Sequence, residues 1–131
     1  MIVIDSSALI AILEHEPERS RFFQAIADSD RRAISAVNYQ EAGQVIFARR
    51  GANGVRDLEE LLDVMQAEVV PHDQTLAQFA IEVFKRYGKG IHPDARLNFC
   101  DCAAYALAAT LQAPLLFKGS DFANTDIQAA V

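Results

Sequence analysis

The first four residues, MIVI, form an unbroken apolar run, and Asp5, Ser6 and Ser7 follow it with no loop between. A β-branched run without polar alternation is the pattern of a strand covered on both faces. The next apolar stretch, Ala8–Leu13, opens a helix for which Asp5 or Ser6 is a suitable cap. A strand buried on both sides and running straight into a helix favours a parallel sheet, because crossover helices are what cover both faces of such a sheet.

The rest of the chain repeats the alternation. A helix is expected over Glu18–Ala27, with Phe22, Phe23 and Ile26 on one side, and a short strand within Arg31–Asn38. Glu41, Val45 and Ile46 then lie on a helix that stops near Gly51, and Val55–Gln66 is amphipathic with Leu58, Leu61, Leu62 and Met65 at helical spacing. Ala67–Pro71 reads as a third strand. Asp73 caps a helix whose stripe of Leu76, Phe79, Ala80, Val83, Phe84 and Tyr87 ends at Gly88. A loop follows, then an Ala-rich helix, a strand over Pro114–Phe117 and a short polar tail. The expected fold is a three-layer α/β sandwich with a central parallel sheet, and residues 1–131 are read as one domain.

One segment does not fit a purely structural account. In LNFCDCAAYALAATLQAPLLF, Leu97–Phe117, nearly every side chain favours burial, yet Asp101 stands in the first turns. The run has the length to span a bilayer, but Asn98, Asp101, Gln112 and Pro114 interrupt it and much of it is only alanine. The N-terminus has no basic segment before its apolar run, so it does not read as a signal peptide. A protein with no membrane contact and a cytoplasmic location is the expectation.

Asp101 has company. Asp5 ends the first strand, Asp121 follows the last one, and Glu41 lies near the start of the helix after the second. Strand–helix alternation places all four at the carboxyl edge of the sheet, where ligands of such folds gather. Singly, each has an ordinary explanation: Asp5 as a helix cap, Asp121 as a turn residue, Glu41 as a first-turn acid, Asp101 as the partner of an arginine such as Arg96. Together they would repel one another, and a divalent cation resolves that repulsion. Oxygen ligands without a Cys or paired-His set suit Mg2+ or Mn2+. The formal charge of −6 argues against indiscriminate nucleic-acid binding, but setting the four acids aside leaves fourteen acids against twelve bases. Arg49, Arg50, Lys85, Arg86, Lys89, Arg96 and Lys118 are candidates for a phosphate-binding rim. Cys100 and Cys102 read as small core side chains, and His15, His72 and His92 as scattered surface or loop residues.

Four segments together resemble the PIN-domain ribonucleases, specifically the VapC-type toxins of type II toxin–antitoxin systems. MIVIDSSALIAIL resembles the family's opening strand, acid and helix, and ISAVNYQEAGQVI the segment carrying its glutamate. LNFCDCAAYALA resembles the family's LNFGDCFAYALA-like motif, and LLFKGSDFANTDI its closing strand and acid. The resemblance implies that Asp5, Glu41, Asp101 and Asp121 are the catalytic, Mg2+-binding acids, with Ser6 in support and Asp126 at the rim. Cys100 stands where glycine is common, and Ser120 where many relatives carry another aspartate. The implied activity is hydrolysis of RNA phosphodiester bonds by a metal-activated water, leaving 5′-phosphate and 3′-hydroxyl ends. The implied partners are RNA, a cognate antitoxin, and a second copy in a homodimer or a dimer of toxin–antitoxin heterodimers. The antitoxin groove is expected around Leu9, Leu13, Phe23, Val45 and Leu58, and the dimer face on Val55–Met65 and Leu76–Tyr87. The alternatives are a non-toxin PIN-like nuclease, a doubly wound phosphoryl-transfer domain with Asp5 as nucleophile, and a non-enzymatic α/β binding module whose acids are caps. Ser7 counts against the phosphoryl-transfer reading, which wants an aspartate there.

Overall fold

Residues 1–131 are described by a computed structural model. Strand β1 (Ile2–Ile4) is wholly buried, as its composition requires, and lies inside a four-stranded sheet of order β3-β2-β1-β4. Its neighbours are β2 (Arg32–Ser35) and β4 (Leu115–Leu116), and β3 (Glu68–Val70) pairs with β2. All pairings are parallel, with Val3 opposite both Ala33 and Leu115. Around the strands run α1 (Ser6–Leu13), α2 (Arg19–Ala27), α3 (Ala36–Met65), α4 (Gln74–Tyr87) and α5 (Phe99–Leu111).

The period-two geometry of the strands divides the core. Ile2, Ile4, Ile34 and Leu116 point into one layer, packed by α1, α2 and α3. Val3, Ala33 and Leu115 point into the other, packed by α4 and α5. The expected sandwich with helices on both faces of a parallel sheet is therefore what forms.

Helix α3 is two helices in one: Gly51 has φ +66 and ψ −153, and the chain reverses there. Glycine reaches that conformation without steric cost, so the break falls where the sequence places it. The second arm folds back on the first and buries Leu58, Leu62 and Met65. This corrects two expectations. The stripe on Val55–Met65 faces inward rather than forming a dimer face, leaving Val64 as its exposed apolar side chain. Leu9, Leu13 and Leu58 are likewise largely buried, which narrows the expected groove: Leu13 beside the partly covered Phe23, and Leu58 beside Val55, still contribute to the floors of two separate clefts, while Val45 is only partly covered. Periodicity identifies an apolar side of a helix but not what covers it.

The C-terminal tail is less passive than expected. Leu115 N–H donates to the Gln128 carbonyl and Ala130 N–H to the Leu115 carbonyl, both at 2.9 Å. The tail thus pairs along the outer edge of β4. No helix is long and apolar enough to cross a membrane.

Candidate active site

The strand order reverses direction at β1. The chain moves from β1 to β2 and β3 on one side, then crosses to place β4 on the other. The crevice outside the carboxyl ends of β1 and β4 is thus the switch point at which open α/β sheets bind ligands. Asp5 follows β1 there, and Asp121 follows β4.

Asp5 is nearly inaccessible, at 2 % exposure. It does cap α1: its Oδ2 accepts from Ser7 N–H at 3.0 Å and from the Ser7 hydroxyl at 2.6 Å. Ser7 Oγ in turn accepts from Lys118 N–H at 3.0 Å, which ties the end of β4 to the start of α1. Glu41, on the second turn of α3, accepts from the Ser6 hydroxyl. Asp101 is the third residue of α5 and forms a capping box with Asn98: each side chain accepts from the other's backbone N–H, at 3.0 and 2.9 Å. Its local partner is therefore Asn98, not Arg96. Asp121 is exposed at the start of a short 3-10 turn (Phe122–Asn124) and caps nothing with its side chain.

The capping roles of Asp5 and Asp101 are real, but caps do not account for the electrostatics. Burial pushes the Asp5 carboxyl up to about 7; the Ser7 bonds offset part of that rise, and the charges of Asp101 and Glu41 add to it. Burial pushes Asp101 up to about 6, against the Asn98 bond, and Asp121 and Glu41 push the same way. Asp101 thus senses Asp121 and Glu41, and Asp5 senses Asp101 and Glu41. None of the ion pairs in the molecule includes any of the four. The crevice holds negative charge that no lysine or arginine offsets.

As the side chains stand, no three His, Cys, Asp or Glu groups form a set close enough to hold one ion. Asp5, Glu41 and Asp101 are each turned to a donor of their own, Ser7, Ser6 and Asn98. Cys100 lies among them, and its thiol is pushed up to about 12 by burial, by a bond to Glu41 and by the surrounding charge. That shift favours the neutral thiol while no cation is bound, and the anionic donors of the crevice are carboxylate oxygens. An uncompensated, oxygen-only set is what a hard divalent cation requires.

Asp126 has partners of its own. It takes a hydrogen bond from the Tyr105 hydroxyl and a long contact from Arg86 at 3.4 Å. Most of the expected basic rim is also engaged with carboxylates: Arg49 and Arg50 with Glu14, Lys85 with Glu82, Arg86 with Asp126, Lys118 with Glu16 and Glu18. Lys89 and Arg96 remain, on the loop that leads into α5. That loop is held by His92, whose Nδ1 accepts from Asp94 and Ala95 N–H.

Two residues that sequence reasoning passed over also belong to the crevice. Ser7 is one, and Asn38 is the other: it is fully buried and donates from Nδ2 to Cys100 O at 3.1 Å and Asp5 Oδ1 at 3.4 Å. The available signal was its spacing, one helical turn before Glu41.

A parallel α/β sandwich with an uncompensated acidic crevice at its switch point defines the class. The chain belongs to the PIN-domain family, whose model matches residues 2–128. It is 38 % identical over 130 residues to ribonuclease VapC28 of Mycobacterium tuberculosis, covering 99 % of this chain and 98 % of that one. It is 43 % identical over 128 residues to ribonuclease VapC of Mycolicibacterium smegmatis, covering 98 % of each. Among solved structures, the fold matches Mycobacterium tuberculosis VapC20, a sarcin–ricin-loop-cleaving toxin, with a TM-score of 0.79 at 15 % identity over 97 % of this chain and 96 % of that one. It also matches VapBC2 of Rickettsia felis bound to a promoter DNA fragment, with a TM-score of 0.74 at 14 % identity over 98 % and 96 %.

Proposed function

We propose that this protein is a divalent-cation-dependent endoribonuclease and the toxin of a toxin–antitoxin pair. The observation that carries the reading is the group of four acids, Asp5, Glu41, Asp101 and Asp121, at one sheet edge with no cationic side chain among them. The relatives named as VapC ribonucleases, similar over nearly the full chain, support the substrate.

Asp5, Glu41, Asp101 and Asp121 would hold Mg2+ or Mn2+, which when bound supplies a lowered pKa to a water and charge stabilisation to the phosphate. Asp5 gives the fixed point, because Ser7 holds its Oδ2 from two sides. Glu41, on a longer side chain and held by Ser6, is placed to orient or deprotonate the attacking water. Lys89 and Arg96, unpaired and beside the entry to α5, take the flanking phosphates. The caps-only alternative leaves Asp121 and the raised Asp5 and Asp101 carboxyls without a role. An Asp5 nucleophile is disfavoured because both Ser7 donors occupy Oδ2.

The antitoxin site is read on exposed rather than buried apolar residues. A cleft of about 580 Å³ opens between the arms of α3, lined by Tyr39, Gly43, Phe47, Val55 and Glu59, with Phe47 60 % exposed. Self-association is assigned to α4 and the start of α5, where Ile81, Phe84 and Phe99 stand exposed around a cavity of about 380 Å³.

The test is cleavage of total cellular RNA by the purified chain with Mg2+ or with chelator, followed by mapping of the ends. Mg2+-dependent cuts that vanish in Asp101→Asn are expected. Full activity in folded Asp101→Asn contradicts the assignment. Growth inhibition that disappears on coexpression with the adjacent open reading frame is expected for a toxin, and unaffected growth refutes that part alone.

A further inference from the structure

Asn38 is a polar side chain with no exposure at all, set in the first turns of α3. Its Nδ2 reaches two acceptors on other elements, the Cys100 carbonyl at 3.1 Å and Asp5 Oδ1 at 3.4 Å. The amide orientation follows from these partners: turned over, its oxygen would face two oxygens. The cost is borne at the other end, where Oδ1 is buried without a hydrogen-bond partner.

What the two bonds join is informative. Asp5 follows β1 directly, Cys100 immediately precedes Asp101 on α5, and Glu41 lies one turn beyond Asn38 on α3. One amide therefore pins together the three elements that carry three of the four acids. The chemistry is specific to an amide. A carboxylate there would add a like charge beside Asp5, and an aliphatic group would leave both acceptors without their donor.

We propose that Asn38 is a positioning residue that fixes Asp5 relative to Asp101 and Glu41, so that the acids take a divalent cation as one set. The inference rests on the cation-dependent reading of the site given above. Groups that orient metal ligands change affinity by roughly 10- to 100-fold when removed. Stability changes less than affinity, because an apolar side chain strips the Cys100 carbonyl and Asp5 Oδ1 of their donor but also removes the buried Oδ1 that Asn38 leaves unmet.

The test uses the full chain, stripped of cations and titrated with Mn2+ by calorimetry, alongside kinetics on one RNA that the wild type cleaves. Asn38→Leu keeps the branching and number of heavy atoms, though its methyl groups are bulkier, and Asn38→Ala tests the position without bulk. Both are expected to bind Mn2+ at least about tenfold more weakly, with kcat reduced and the KM for RNA unchanged. The cation-free melting temperature of Asn38→Leu is expected to stay near that of the wild type. Wild-type Mn2+ affinity in either folded variant overturns the proposal. Failure of both variants to fold overturns it too, since the amide would then hold the fold rather than the acids. Asp101→Asn separates the two readings: loss of Mn2+ there with retention in Asn38→Leu refutes only the role of Asn38. A wild type that binds no Mn2+ refutes the cation site itself, and this proposal with it.

Discussion

Ser6 and Glu41, 35 residues apart, are joined by a hydrogen bond from the serine hydroxyl to the glutamate carboxylate. It links the first turn of α1 to the second turn of α3 across the crevice. Ser6→Ala removes the donor and frees a side chain with three rotatable bonds. Cleavage at saturating Mg2+ is expected to fall about tenfold, with little change in melting temperature. Rates equal to the wild type would show that Glu41 needs no such restraint.

The raised carboxyls make stability depend on pH in a definite direction. Asp5, pushed to about 7, and Asp101, pushed to about 6, bind protons more tightly in the folded state than in the unfolded one. Their favourable contribution is therefore complete below about pH 4 and is lost as pH rises through 6 and 7. In chelator, Asp5→Asn is expected to match the wild type near pH 4 and to exceed it by about 2–4 kcal/mol near pH 8. Urea unfolding of the pair across that range checks it. Comparing the two proteins cancels the exposed acids, such as Asp30, whose shifts run the other way. A constant difference at all pH values would contradict the assignment.

The two arms of α3 meet at Gly54, where a Cβ would lie 2.9 Å from both the Ile46 carbonyl oxygen and its Cγ1. Alanine is the better helix former by about 1 kcal/mol, but a backbone oxygen cannot yield as a side-chain tip can. Overpacking of about 1–3 kcal/mol wins, and Gly54→Ala is expected to lower the melting temperature by several degrees. A rise in calorimetric melting temperature would mean that the arms separate freely.

Tyr105 is 4 % exposed and donates its hydroxyl to Asp126. Tyr105→Phe is expected to cost about 1–2 kcal/mol and to speed hydrogen exchange at Ala130, whose N–H pairs with β4 just beyond this anchor. RNA cleavage should be unchanged. A selective loss of cleavage would place Asp126 at the rim of the site after all.

The fold was legible where one local rule decides. The Ile2–Ile4 run can only be an inner strand, Gly51 breaks α3 where its conformation demands glycine, and Asp73 caps α4 through a bond to Leu76 N–H at 2.9 Å. The four acids were legible through strand–helix alternation, but their partners were not. Asn98 bonds Asp101 by a short-range motif that Arg96 obscured, and Asn38 looks like a surface residue until α5 is packed over it. The leucines expected in a groove are more deeply buried than their stripe suggests for the same reason, because burial of a stripe depends on elements distant in the chain.

The pairing of Ile4 with Leu116 has a consequence during synthesis. A ribosome releases a chain in the N-to-C direction, so β1 emerges before β4 and must wait for it before its second flank is covered. Until then Asp5 has no Lys118 backbone beside Ser7 and no Asp101 or Asp121 nearby. Contacts this remote form slowly, after closure of a long loop. A nascent chain therefore cannot assemble the acidic crevice, and whatever chemistry the crevice performs begins only once the segment carrying Leu115 and Leu116 is free of the exit tunnel.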